Sequence, residues 1–225
     1  ERAISYNLSA DYYAKKYQFS INIFRTNLKD KIQFSPADDE VKKFGYSYQW
    51  ENVDDAYVQG VELGAKANLF RNFNAGINWT FNQGKFKHER ADWSDPNDET
   101  VKEFPQRLQY AKDSRNVSRF PAMTGDIDLD YTPGTWSFSL TSSLQGRMYI
   151  DYNSEDDGAT SKIKKTNTFM LFNCRAAKRF GSCTVYAGAK NIFSYIQDEK
   201  HTDDAAFMYA PVYGATWYVG LSVKL

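Results

Sequence analysis

Polar and apolar residues alternate one by one along most of this chain. The cleanest stretch spans 73–82, where Phe73, Ala75, Ile77, Trp79 and Phe81 interleave with Asn74, Gly76, Asn78, Thr80 and Asn82. Period two predicts a β-strand with one apolar and one wet face. Eight further segments carry the same pattern. The first sets Ile4, Tyr6, Leu8, Ala10 and Tyr12 against Ser5, Asn7, Ser9 and Asp11. The second opposes Phe19, Ile21 and Ile23 to Gln18, Ser20 and Asn22, and continues towards Phe34. The third, from Tyr57 to Leu69, places Gly60, Glu62, Gly64, Lys66 and Asn68 on its wet face. The fifth alternates Ile127, Leu129 and Tyr131 with Asp126, Asp128 and Asp130. The sixth to ninth are centred on Leu140, Phe172, Ala187 and Val219.

The joints between these segments sort into two kinds, and they alternate. Short turns fall at Lys15-Lys16, Phe70-Arg71-Asn72, Pro133-Gly134-Thr135 and Gly181-Ser182; long charged connections cover 35–45, 84–121, 150–165 and 194–214. A soluble sandwich has no reason to sort its connections this way. A transmembrane β-barrel does, with short periplasmic turns and long extracellular loops. Aromatic residues cluster beside the tight turns: Tyr12, Tyr13, Tyr17, Phe70, Phe73, Tyr131, Trp136 and Phe180. An aromatic girdle belongs at a membrane interface. The alternative is a soluble antiparallel barrel or sandwich whose apolar face is a dry core.

Composition narrows the choice of function. Lys plus Arg and Asp plus Glu are equal at 28 each, so no one-sided basic surface suggests nucleic acid as a partner. Mean hydropathy is −0.64, yet a barrel's wet face and loops dilute the average. No run approaches a transmembrane helix, and no signal peptide is visible. Cys174 and Cys183 sit too far apart across their hairpin to form a disulfide, so two free thiols are expected.

If the tight turns are periplasmic, the first strand enters from outside and the ninth ends in the periplasm. Bacterial single-chain barrels carry an even strand number. Nine strands therefore predict an incomplete wall, with at least one more strand before Glu1.

Several segments, in order, resemble the C-terminal barrel half of TonB-dependent outer-membrane receptors. Glu1 with Tyr6 and Leu8 is similar to a glutamate-led strand of that family. The run 23–32, with Phe24, Asp30 and Ile32, is similar to another. Asn52 followed by Ala56, Gly60, Val61 and Glu62 resembles its most recognisable element. Gly188, Asn191, Ile192 and Phe193 resemble the penultimate strand; Tyr209-Ala210-Pro211 and Tyr218-Val219-Gly220-Leu221 resemble the closing one in Bacteroidetes-like members. Two departures stand out: Gly214-Ala215-Thr216 where the family usually carries an arginine, and a terminal Leu225 in place of Phe or Trp.

The resemblance implies that residues 1–225 are the C-terminal portion of a 22-stranded, plugged, all-β antiparallel transmembrane barrel in the bacterial outer membrane. It implies active uptake of a scarce nutrient, of the iron–siderophore, haem or cobalamin class. Its partners would be an N-terminal plug, the remaining strands, membrane lipid, a small nutrient ligand and the TonB–ExbB–ExbD system. Rival readings are a passive pore or structural barrel, and a soluble binding module.

Candidate chemistry lies in the loops and on the wet face. His88, Trp93, Arg107, Tyr110 and Arg119 in loop 84–121 combine cations with aromatics, a mix that can grip a charged, flat ligand; Tyr152 and His201 belong to other long loops. A plain hydrophilic loop fits the same residues. Asp151, Asn153, Glu155 and Asp157 offer oxygen ligands for Ca²⁺, though without the spaced glutamate of an EF-hand loop. No other cofactor is expected. Glu62, Lys66 and Arg147 face the lumen, where Glu62 either accepts bonds from a plug or is simply solvated. Phosphate loops, nucleophile elbows and Cys/His metal spacings are missing from the sequence, so no enzyme is expected.

Overall fold

A computed structural model of the chain describes residues 1–37, 39–154, 160–197 and 210–224. Nine strands form one antiparallel sheet in nearly sequential order. They are β1 (Arg2–Tyr13), β2 (Tyr17–Pro36), β3 (Tyr48–Phe70), β4 (Phe73–Phe86), β5 (Met123–Tyr131), β6 (Trp136–Gln145), β9 (Phe169–Phe180), β10 (Cys183–Lys190) and β11 (Thr216–Val223). Strands β7 (Tyr149–Ser154) and β8 (Thr160–Lys165) pair only with each other.

The long connections hold more structure than alternation alone indicates. Strand β2 runs on to Pro36 and β3 starts at Tyr48, so these strands extend as a ribbon capped by the short helix α1 (Asp39–Lys42). A bulge between Leu28 and Ile32, with Asp30 at a φ of 52°, breaks the period there, yet β2 continues past Phe34 as expected, whereas β3 begins nine residues before the expected Tyr57. Loop 87–122 carries α2 (Ala91–Ser94), α3 (Glu99–Glu103), a 3-10 turn (Pro105–Tyr110) and α4 (Ala111–Ser114). The expected loop at 150–165 contains the β7–β8 hairpin. Its Ile150 and Ile163 are buried against neighbouring loops, whereas the alternation of a sheet strand is masked by Lys162, Lys164 and Lys165.

The two faces follow the alternation throughout. Residues of one parity meet across each strand pair, as in Leu8–Ile23–Val61–Phe81 and Ala65–Ile77–Ile127. This apolar face is bare: Ile21, Leu63 and Ile77 are about 40% exposed, and Val219 reaches 78%. A soluble sheet buries its apolar face under a second layer. Among the described residues no layer covers this one, and the buried side chains cluster mainly in the long loops. The face is a lipid-facing barrel wall.

Strand inclination can be read from the register. One hydrogen-bonded row links Tyr17, Ala67, Ala75, Leu129, Leu140, Cys174, Ala189 and Trp217. It starts at the β1–β2 turn on β2, yet lies six residues above the β9–β10 turn when it reaches Ala189 on β10, six strands on, because Cys183 opens that strand. Six residues at ~3.3 Å, over six strand spacings of ~4.8 Å, give an inclination of about 35°. Membrane barrels lean by that much. From Lys16 to Arg25 the rise is then roughly 24 Å along the membrane normal, close to the ~25 Å apolar band of such barrels.

The aromatic side chains beside the tight turns touch one another. Phe70 stacks on Phe73 at 4.7 Å, Phe73 and Phe138 each meet Tyr131, and Trp136 stacks on Phe138 at 5.7 Å. Lys178 places Nζ 4.5 Å from the Trp136 ring, a cation at the end of the girdle. In the Gly181-Ser182 turn, Gly181 takes a φ of 60° that a side chain would oppose. Cys174 and Cys183 are both free.

Candidate ligand-facing site

Loop 87–122 is a folded unit with its own small core. Trp93 is 1% exposed, and Val101 and Ser114 are buried with it. The Arg107 guanidinium lies 4.4 Å over the Trp93 ring and 5.6 Å from Phe104, while Tyr110 meets Trp93 edge-on at 6.2 Å. Arg107 Nη1 also donates to the Asp92 carbonyl at 3.0 Å and its carboxylate at 3.2 Å. Three of the residues expected to grip a ligand therefore come together and grip one another.

Arg90 ties this unit to the next loop. Its Nε and Nη2 donate to Asp92, at 3.1 and 2.8 Å, and Nη1 donates to Asp151 Oδ2 at 2.9 Å. Burial works against the charge, but Asp151 and Asp92 outweigh it and hold the Arg90 pKa above its ordinary value. Neither Arg90 nor Asp92 stood out in the sequence; the signal was an Arg-x-Asp pair beside a loop tryptophan.

The β7–β8 hairpin docks on the same assembly. Met148, Ile150 and Phe169 form a buried cluster, with Leu171, Tyr195 and Ala210 packed against it. Phe169 stacks on Tyr195 at 5.0 Å, and the Arg119 amide, at a φ of 58°, donates to the Tyr149 carbonyl at 2.8 Å. Asn191 closes the third loop. Its Nδ2 donates to the carbonyls of Tyr195 and Tyr213, and its Oδ1 accepts from the Tyr195 amide. One side chain thus fastens both ends of the connection after β10, which gives the family-like asparagine a structural role.

His88 stands apart from the cation–aromatic set. Its amide and Nδ1 meet the Asp54 carboxylate at 2.7 and 3.0 Å, on the part of β3 above the apolar band. Partial burial pushes the Asp54 pKa up, yet the bonds from His88 and the Asp55 amide prevail and hold it below the ordinary carboxylate range. Asp151 is engaged by Arg90; Tyr152 and Asn153 fall on β7; Glu155, Asp157 and His201 lie outside the described residues. Among the described residues no three His, Cys, Asp or Glu side chains gather at metal-binding spacing.

Below the loops, the wet face is laced with polar contacts. Asn22 bridges Ser9 and Glu62, with both bonds at 2.9 Å. Lys66 lies on that face with Asp128 and Asp130, and Arg147 is exposed just beyond β6. Arg175 sits 4.6 Å over the Tyr186 ring. Tyr186 covers Gly220 on β11, while Tyr218 reciprocally covers Gly188 on β10. Gly60 has the same role: a Cβ there would meet the Phe24 ring at 2.7 Å as well as the Phe81 carbonyl. These glycines exist to admit rings rather than to bend strands.

Comparison with known proteins agrees with this geometry. A family model described as "TonB dependent receptor-like, beta-barrel" matches residues 1–192. Among solved structures, the chain is similar to the ferric citrate transporter FecA, with a TM-score of 0.68 at 18% identity. It is also similar to the copper transporter OprC, at 0.64 and 20%, and to the FrpB iron transporter from Neisseria meningitidis, at 0.65 and 14%. Each likeness covers 97% of this chain but only 31%, 31% and 30% of those proteins, respectively. The chain thus spans about a third of their length.

Proposed function

The chain belongs to the TonB-dependent receptor β-barrel family of the bacterial outer membrane, and from that premise we propose that it forms wall and outer loops of a nutrient importer. The intact protein binds a scarce nutrient outside the cell, of the iron–siderophore, haem or cobalamin class. It then moves that nutrient past a plug, using force delivered through TonB, ExbB and ExbD. The observation that carries this reading is the pairing of a charged inner face with outer loops already folded against one another. Lys66, Asp128, Asp130 and Arg175 suit a hydrated lumen that a plug fills, and the docked loops suit a binding mouth.

Side chains consumed in loop packing are poor candidates for cargo contact. Trp93, Arg107 and Tyr110 hold the loop's shape; the exposed lumen residues remain free to meet cargo. A passive pore is the rival reading. Uptake of radiolabelled ferric siderophore by cells making the intact protein separates the two. Saturable uptake that disappears when tonB is deleted is expected. Uptake that persists without TonB refutes active transport and favours the pore.

A further inference from the structure

The outward face changes character within one row on β1–β4. Leu8, Ile23, Val61 and Phe81 form the last apolar row, and the next row reads Tyr6, Arg25, Gln59 and Gln83. The row after it holds Ile4, Asn27, Tyr57 and Lys85. Beyond that, Arg2 pairs with Lys29, and Lys87 lies against Asp55.

Arg25 is built into this surface. Nη1 donates to Gln59 at 2.7 Å, Nε to Asn27 at 3.0 Å, and the guanidinium lies 4.4 Å over the Tyr57 ring. Gln59 in turn donates to Gln83 at 3.0 Å, so three strands share one ordered polar row. The acids at this sector are Asp30, Asp55 and, beside Arg2, Glu1, fewer than the five cations Arg2, Arg25, Lys29, Lys85 and Lys87. Asp55 accepts from the Asp30 amide at 3.2 Å and lies 3.9 Å from Lys87 Nζ. Arg2, Lys29 and Lys85 make no ion pair among the described residues. The sector is therefore net positive, with three cations uncommitted.

The positive sector is local. Outward residues at the same end of β5, β6, β9 and β11 are Met123, Leu144, Met170 and Trp217. Its depth is also defined. With strands leaning about 35°, Arg25 to Lys29 spans roughly 11 Å of height above the apolar band. Lipid headgroups occupy the layer next to the hydrocarbon.

We propose that this outward sector binds the phosphate groups of an outer-leaflet glycolipid. Arg2, Arg25, Lys29 and Lys85 take the phosphates; Tyr57, Gln59 and Gln83 take headgroup hydroxyls. The acyl chains lie on Ile23, Val61, Leu63 and Phe81 directly beneath. That apolar wall under the cations is what selects a lipid over a free anion. Basic residues beside a membrane are attracted to anionic headgroups, and Arg pairs well with phosphate.

The test uses the intact protein, delipidated in mild detergent and titrated with diphosphoryl lipid A by native mass spectrometry. Replacing Arg25, Lys29 and Lys85 together by Gln should weaken binding roughly a hundredfold. Lys29→Gln and Lys85→Gln alone, at unpaired sites, should each weaken it about fivefold. These single variants carry the test if the triple variant fails to assemble, as judged by heat-modifiable migration. Dephosphorylated lipid A should bind wild type as weakly as diphosphoryl lipid A binds the triple variant. Single variants within twofold of wild type, a triple variant within tenfold, or equal binding of the dephosphorylated lipid overturns the proposal.

Discussion

Replacing Trp93 by Ala should unlock loop 87–122 while leaving the barrel wall intact. Burying a tryptophan side chain on the order of 200 Å² in area is worth about 5 kcal/mol. Large-to-Ala truncations in cores cost about 3–5 kcal/mol. The indole Nε1 has no hydrogen-bond partner among the described residues, and its removal returns part of that cost. A net loss of about 3 kcal/mol raises the open population of the loop roughly a hundredfold. Trypsin reads this population when opening is fast relative to cleavage. The loop offers Lys102, Arg107, Lys112 and Arg115 as sites. Intact cells carrying Trp93→Ala should be cut there about a hundredfold faster, with unchanged heat-modifiable migration of the barrel. Trp93→Phe, which deletes the unpaired N–H but keeps a ring, should stay within tenfold of wild type. Cleavage of Trp93→Ala within threefold of wild type refutes the claim that this core holds the loop. Collapse of the barrel refutes the claim that the loop is a separate unit.

Asn191→Ala should loosen both ends of the connection after β10. Three hydrogen bonds disappear from a residue only 8% exposed, a loss of about 2–3 kcal/mol. Amide exchange at 194–197 and 213–216 should accelerate at least tenfold, and unchanged exchange contradicts the clip. Gly220→Val should block the seat of Tyr186 and lower the yield of heat-modifiable barrel; Tyr186→Ala in the same chain should restore it. No rescue means the ring is not the obstacle. The Asp54 pKa is lowered by folding, so its stabilising contact with His88 is complete above the ordinary carboxylate value. It is lost as pH falls through the lowered one, hence below about pH 4. Proteolysis near residue 88 should rise in that range and Asp54→Asn should flatten the profile; a persistent rise in the variant assigns it to another group.

The wall was legible because lipid on one side and water on the other impose period two on every strand. Ile77 between Gly76 and Asn78 states its face without any tertiary information. The loops were not legible for the same reason. Their packing is set by contacts between segments far apart in sequence, such as Arg90 with Asp151 and Phe169 with Tyr195. A cation–aromatic set reads identically whether it grips a ligand or itself. Arg107 and Trp93 show the second case, since Asp92 beside them supplies the counter-charge. The role of the glycines was not legible either, because the rings of Phe24 and Tyr186 that Gly60 and Gly220 admit are identified only by cross-strand register.

The proposal of a larger wall rests on the edges of the sheet. Strands β1 and β11 are its two borders and do not pair with each other. Every step between neighbours is antiparallel, so nine strands leave the two borders pointing the same way. Closing the sheet on itself would need a parallel pair, against the antiparallel rule of membrane barrels. Leaving it open in lipid is worse. Each unpaired backbone group in hydrocarbon costs several kcal/mol, and a strand the length of β1 exposes about half its N–H and C=O groups along one edge. The total, tens of kcal/mol per border, exceeds the ~5–15 kcal/mol stability of an ordinary domain. The proposal is therefore that further antiparallel strands cover both borders, in an odd number that restores an even total. The register slips by one residue per strand, so those strands must carry the same inclination for the hydrogen bonds to meet at closure. Thirteen more at that slip would give the 22 strands that the family resemblance implies.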